Sequence, residues 1–136
     1  MDDPYVRVLP TLNPDNEFFW TSGRDNVLRF LRCRACDYFV HPPRPYCPRC
    51  GGRNLAPETV SGWATVHTFT VNHQPWDGSR DPYVIAIVAI EEQDDVRLTT
   101  NIVGCAPDDV YIGMPVHVVF ADHDPVWLPL FQPEHD

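Results

Sequence analysis

Four cysteines fall into two pairs, Cys33-x2-Cys36 and Cys47-x2-Cys50, with ten residues between the pairs. A two-residue gap lets both sulfurs of one turn point at a single ion. Zinc takes four such thiolates in a tetrahedron, with bonds of about 2.3 Å. Gly51 and Gly52 follow the last cysteine, where a tight turn favours glycine. The spacing predicts a structural zinc site on Cys33, Cys36, Cys47 and Cys50. Such a staple contributes on the order of 10 kcal/mol to the folding of a small lobe. The same ligand set suits an iron centre of the rubredoxin kind, and spacing alone leaves that alternative open. Four thiolates close the coordination shell, so no position is left for a substrate. Cys105 stands alone and reads as a small buried hydrophobe.

The other reactive residue types form no comparable constellation. His67 lies mid-strand and reads as a core or barrel-wall residue, and His41 as a surface residue of the ribbon loop. His117 alternates with valines and reads as solvent-facing. His123 and His135 belong to acidic segments. His73 stands where a strand gives way to a loop, the better position for meeting a ligand. The pairs Asp94-Asp95 and Asp108-Asp109 read as solvated turns. There is no nucleophile elbow, phosphate loop or His-x-x-His set, so the residues make no positive case for self-contained catalysis.

The elements that hold these residues follow from patterning. Asn13, Pro14, Asp15 and Glu17 predict a short helix start, and Gly23 its stop. Phe18, Phe19 and Trp20 cannot all face one small core, so at least one is expected to meet another surface. Residues 27–32 read as a strand entering the first cysteine pair. Residues 62–73 alternate, with Trp63, Thr65, His67, Phe69 and Val71 on one side. Residues 74–82 read as a loop and 83–91 as a strand buried on both faces. A tight turn over 92–95 leads to alternating strand residues 96–104. A loop or helical turn covers 107–115, and strands follow at 116–121 and 126–131. The fold class is mainly β: an N-terminal helix and a rubredoxin-like zinc ribbon, then a five-stranded OB-fold barrel, with a β-sandwich as the alternative. The expected divisions are 1–26, 27–58 and 59–136.

With 136 residues the chain can bury a core of its own. Fifteen prolines argue against long helices. The net charge is −9, and all ten basic residues are arginine. That balance disfavours nucleic acid unless the arginines gather on one face. Arg29, Arg32, Arg34, Arg44, Arg49 and Arg53 are placed to line the ribbon, with Tyr38, Phe39 and Tyr46 available for stacking. The same cluster suits an acidic protein surface or the phosphates of a nucleotide-like cofactor. No run of apolar residues reaches membrane-span length and no signal-peptide pattern opens the chain. A cytoplasmic location is therefore expected, where thiols stay reduced. The abrupt start after Met1 also fits a domain cut from a longer protein.

An ordered series of motifs resembles the zinc-ribbon/OB-fold family associated with acyl-CoA metabolism, formerly a domain of unknown function. These are Glu17-Phe18-Phe19-Trp20, Leu28-Arg29-Phe30-Leu31-Arg32 before Cys33, and Pro42-Pro43-Arg44 before Cys47-Pro48-Arg49-Cys50. Val60-Ser61-Gly62-Trp63-Ala64-Thr65-Val66 follows, then Asp81-Pro82-Tyr83-Val84 and Ile112-Gly113-Met114-Pro115-Val116. The resemblance implies a non-catalytic accessory partner of thiolase-like enzymes in a hetero-oligomer, such as acyltransferases or the aldolases (lyases) of steroid degradation. It also implies handling of an acyl-CoA thioester. On that basis His73, Trp76, Arg80 and Tyr83 are candidates to face CoA or its acyl chain, and Phe18, Phe19, Trp20 and Arg44 to meet the partner. Two alternatives remain: a nucleic-acid-binding ribbon and barrel, and the C-terminal domain of a MaoC-like enoyl-CoA hydratase subunit.

Overall fold

The structure is a computed structural model that describes residues 8–73 and 81–134. Trp76, Arg80 and His135 lie outside the described residues. The chain opens with a turn in which the Asn13 side chain accepts the N–H groups of Asp15 and Asn16, both at 2.9 Å. The regular helix α1 (Glu17–Thr21) starts one turn later than the sequence predicts. It tightens into a 3-10 turn over Ser22–Asp25 and ends on Asn26 in the left-handed conformation, φ 59°. Gly23 is therefore not the stop. It sits buried inside the 3-10 turn, where an added Cβ would lie 2.5 Å from the Phe120 ring and 2.7 Å from Trp127 Cβ. The glycine is there because the turn packs directly onto aromatic side chains.

Next comes a three-stranded antiparallel sheet, with β1 (Leu28–Cys33) between β2 (Phe39–Val40) and β3 (Leu55–Val60). The patterning did not reveal β2 or β3. Two residues are too few to show alternation, and β3 carries Pro57 opposite Leu31. Proline cannot donate to a ladder, but an edge strand tolerates it.

The barrel strands are β4 (Trp63–Asn72), β5 (Tyr83–Ile90), β6 (Gln93–Ile102), β7 (Pro115–His123) and β8 (Val126–Pro133). They close in the order β4-β5-β6-β8-β7, the closed five-stranded barrel expected from the sequence. The β6–β8 contact is parallel, at Ile102 and Phe131; the other pairings are antiparallel. Closure removes the free sheet edges that an open sheet would expose.

A bulge in β4 between Val66 and Thr68 changes the predicted facing. Before it, Ala64 and Val66 are buried; after it, Phe69 and Val71 pack against the core. Trp63, Thr65 and His67 therefore do not share an inward face with Phe69. His67, expected in the core or barrel wall, is the exposed bulge residue. On β5, Val84, Ala86, Val88 and Ile90 point into the barrel, while Ile85 and Ile87 are only half-buried, so its outer face is partly open.

Ribbon, helix and barrel share one core, because Phe19, Leu28, Phe30 and Phe39 join the same cluster as Val66, Val88, Val116 and Phe131. A polar clamp adds direction. The Gln93 side-chain amide accepts the Phe39 N–H at 2.9 Å and donates to the Phe39 carbonyl at 3.0 Å. Beside it the Tyr38 hydroxyl donates to the Asp95 carboxylate at 2.6 Å. Asp95, although exposed, is thus part of the ribbon–barrel joint and lies in β6 rather than in a turn.

The Gly23 contact gives a direct test. Gly23→Ala should destabilise the chain by about 1–3 kcal/mol through overpacking, read as a lower denaturant midpoint with an unchanged slope. An unchanged midpoint would mean the turn does not approach Phe120 and Trp127 as described.

Candidate metal centre and binding surfaces

Two turns of the same design carry the cysteines. In the first, the Cys33 carbonyl accepts the Asp37 N–H at 2.9 Å, and the Cys33 N–H donates to the Tyr38 carbonyl at 2.9 Å. In the second, the Cys47 carbonyl accepts the Gly51 N–H at 2.8 Å, and the Cys47 N–H donates to the Gly52 carbonyl at 2.8 Å. The residue after each second cysteine is left-handed: Asp37 at φ 65° and Gly51 at φ 77°. Aspartate is among the non-glycine residues that tolerate that conformation. Gly52 has a different reason to be small, since a Cβ there would lie 3.2 Å from Cys50 Sγ.

The four sulfurs lie within 4.8 Å of one another. Cys33 and Cys50 are 3.6 Å apart, and Cys36 and Cys47 are 3.7 Å apart. A disulfide would need about 2.05 Å. A tetrahedron with bonds of about 2.3 Å has edges of about 3.8 Å, so the set fits a zinc ion. Cys33 and Cys47 are buried and Cys36 and Cys50 exposed. Burial pushes the Cys47 thiol up, but the backbone N–H groups of Cys50 and Arg49 outweigh it and bring it to about 7. The Cys36 backbone N–H chiefly lowers the Cys33 thiol. These donors favour the thiolate form that a metal requires at Cys33 and Cys47; at Cys36 the Tyr38 backbone N–H lowers the thiol, but burial and the neighbouring Cys50, Cys47 and Cys33 sulfurs push it up to about 12. Cys105 is partly buried against the main core, as a small hydrophobe would be.

The aromatic helix does not present its three rings together. Phe19 is only 2% exposed and packs in the core, so it is corrected from the partner surface to the interior. Its neighbours there are Phe30, with ring centroids 5.6 Å apart, and His41 at 5.0 Å. His41 also meets Phe30 edge-on at 4.9 Å, so it is part of an aromatic cluster rather than a surface residue. Burial lowers its pKa to about 4. Phe18 and Trp20 are half-buried on either side of Phe19. Phe18 and Arg44 line one cleft, and Trp20 lines a neighbouring one with His41 and Pro42. His117 is half-buried and meets Trp63 edge-on at 4.5 Å, rather than pointing freely into solvent.

Most of the arginine cluster is satisfied within the chain. Arg29 pairs with Asp25 at 3.3 Å, and Arg34 with Glu58 at 3.8 Å. Arg32 pairs with Glu58, donates to the Asp37 carbonyl at 2.8 Å and lies over the Phe39 ring at 4.6 Å. Arg49 lies over Tyr38 at 5.5 Å. Among the described residues, Arg44 and Arg53 have no ion pair. Of the three stacking candidates, Phe39 is buried and Tyr38 is bound to Asp95, which leaves Tyr46 exposed.

Of the residues expected to face CoA, His73 is exposed just beyond β4 and Tyr83 begins β5. The Tyr83 hydroxyl accepts from the Asn72 side-chain amide at 2.9 Å. The clamp residue Gln93 stands beyond the far end of β5, roughly 23 Å away at about 3.3 Å per residue. The His73–Tyr83 end and the ribbon joint are therefore separate places on the molecule. Sequence reading missed Gln93 and Asp95, whose partners lie 54 and 57 positions away; no local pattern marks them.

The comparisons with known proteins agree with this geometry. Residues 20–56 match the family model described as "ChsH2, rubredoxin-like zinc ribbon domain", and residues 58–121 match "ChsH2, C-terminal OB-fold domain". The chain belongs to the ChsH2/DUF35 family. One solved relative is the "Ltp2-ChsH2(DUF35) aldolase", with TM-score 0.81 and 38% identity over 92% of this chain and 98% of that one. A "DUF35 domain-containing scaffold protein" of Methanocaldococcus jannaschii is 43% identical over 66% of this chain and 64% of its own length. The "3-oxo-4,17-pregnadiene-20-carboxyl-CoA hydratase alpha subunit" of Mycobacterium tuberculosis is 35% identical over 92% of this chain and 39% of its own length. The chain thus spans about two fifths of the curated hydratase subunits it matches. Zinc is the metal the family ribbon and the four sulfurs both fit. No helix among the described residues is long and apolar enough to cross a membrane.

The His41 cluster sets a pH dependence. An exposed histidine titrates near 6.5; the folded value of about 4 is lower. The unfolded chain therefore binds more protons between those values. The stability contribution is full above about 6.5 and is lost as the pH falls towards 4, to a limit on the order of 3 kcal/mol. The unfolding free energy of the zinc-loaded chain should fall more steeply from pH 7.5 to 5.5 than that of His41→Phe. Equal slopes would contradict the half-buried, neutral imidazole.

Proposed function

We propose that this chain is a non-catalytic ribbon-and-barrel module that docks on a thiolase-like enzyme and helps bind or pass an acyl-CoA thioester. The observation that carries the proposal is the likeness to a chain of the "Ltp2-ChsH2(DUF35) aldolase" over 92% of this chain and 98% of that one. The closed four-thiolate shell supports it, because such a site fixes structure and offers no open position for chemistry. The scaffold relative of Methanocaldococcus jannaschii supports it too. An aldolase that cleaves a steroid side chain is our choice of partner, given that the hydratase relative's name includes a pregnadiene carboxyl-CoA.

In this reading Phe18, Trp20 and Arg44 contribute to the partner surface. Aromatic and arginine anchors carry much of the energy in such interfaces. His73 and Tyr83, with Trp76 and Arg80 of the same segment, are our candidates for the CoA-facing lip. A second reading is compatible with the first: the same module forms part of a larger enoyl-CoA hydratase subunit, as the shared region of that hydratase relative suggests. Nucleic acid is less favoured, because three of the six ribbon arginines (Arg29, Arg32 and Arg34) are paired with carboxylates within the chain and the chain carries −9.

Co-expression with a thiolase-like aldolase is the test. The wild-type chain should co-elute with it as a hetero-oligomer, and Cys47→Ser should lose zinc and reduce both the yield and the stability of the complex. No complex under any condition would remove the proposal. A normal complex from a zinc-free Cys47→Ser chain would remove the structural role given to the metal.

A further inference from the structure

One cleft of about 350 Å³ lies between α1 and the ribbon, and its lining includes Phe18, Leu31, Leu55, Asp15, Arg44 and Arg53. We infer that this cleft is a docking groove for an extended, carboxylate-bearing segment of the partner enzyme. The inference rests on the accessory role proposed above and names the chemistry that the partner must present.

Charge is the first argument. Arg29, Arg32 and Arg34 of the ribbon have carboxylate partners within the chain. Arg44, Arg49 and Arg53 are exposed and have no such partner among the described residues, although the chain has an excess of acidic groups; Arg49 lies over the Tyr38 ring, and Arg44 and Arg53 line the cleft. Two guanidinium groups against Asp15 leave one net positive charge in the cleft. That balance suits a single carboxylate, which arginine meets with a planar fork of donors. It is poorly matched to the several negative charges of a nucleotide phosphate cluster.

Shape is the second argument. Phe18, Leu31 and Leu55 give the cleft apolar walls, and Pro14, Pro43, Pro45 and Pro57 complete its lining. Apolar and proline walls around two arginines suit a peptide whose aliphatic side chains flank an Asp or Glu. Proline rigidity also lowers the entropy lost on binding. The metal sets the third constraint. Pro43, Arg44 and Pro45 belong to the loop between the two cysteine turns, and Arg53 follows the second turn closely. The ligands Cys47 and Cys50 lie between the two arginines in sequence, so the metal turn ties together the backbone segments that carry them.

Two arms test the groove with the full zinc-loaded chain. In the first, the probe is a Pro-Leu-Glu-Leu-Pro peptide followed by NMR. It should shift the Leu31 and Leu55 methyls and the Arg44 and Arg53 Nε–H signals, and its glutamine counterpart should bind at least tenfold more weakly. Equal binding of the two peptides, no shifts at these residues, or displacement of the glutamate peptide by free CoA would overturn the inference. In the second arm, Arg44→Glu/Arg53→Glu should weaken the aldolase complex at least tenfold, with zinc content and thermal midpoint retained. Arg29→Glu, which alters a residue paired with Asp25, should weaken it less than twofold. A wild-type complex that the double reversal leaves intact overturns the groove and spares the accessory role. A chain that binds the glutamate peptide selectively but no aldolase supports the groove and removes the accessory role.

Discussion

Closure of four thiolates on one ion is the constraint from which the rest of the molecule follows. The ribbon has very little hydrophobic interior of its own: Cys33, Val40 and Cys47 are the buried members of its local cluster. Two of those three are ligands. Without an ion to hold them, the two cysteine turns and the proline-rich loop between them have too little apolar burial to offset the entropy of ordering. With it, Cys33 anchors the end of β1, and β1 in turn carries Leu28 and Phe30 into the main core.

The metal's effect reaches the barrel through two short hydrogen-bonded links. Tyr38 and Phe39 follow the first cysteine turn directly, and they are the residues held by Asp95 and Gln93. The Gln93 amide meets both backbone groups of Phe39 much as a neighbouring strand would. Phe39 itself points into the shared core. Helix α1 then lies on a surface made by both lobes, with Phe19 inserted and Phe18 and Trp20 left at the edges. The proposed partner surface is thus a composite: its residues come from helix and ribbon, and its rigidity comes from zinc and barrel together.

How much of this was legible beforehand depended on the range of the interactions. The zinc site was readable because its ligands sit at short, repeated spacing. The barrel strands were readable because alternation is a local signal, and β8 emerged from the apolar run near the end. The features that escaped are those decided by distant residues. The bulge at His67 reversed the facing of β4, and nothing nearby announces an extra residue. Gly23 looked like a helix stop but answers to Phe120 and Trp127, about a hundred positions away. His41 looked like a surface loop residue until Phe19 and Phe30 closed around it. Pro57 hid β3 because a proline argues against a strand unless its edge position is known. Within the candidate surfaces, Arg44 could be singled out from sequence, whereas its pairing in one cleft with Arg53 and Phe18 required the fold.

In the accessory role proposed above, such a layout carries a rigid recognition surface without a large domain. The dependence of the fold on the metal is measured most directly by native-state hydrogen exchange with and without zinc. The backbone N–H groups of Cys33, Phe39, Cys47 and Gly51 are all hydrogen-bonded in or beside the metal turns. Chelation should speed their exchange by roughly a hundredfold or more, while Val88 and Val118 within the barrel stay protected. Unchanged protection at Phe39 and Gly51 in the zinc-free chain would contradict that dependence.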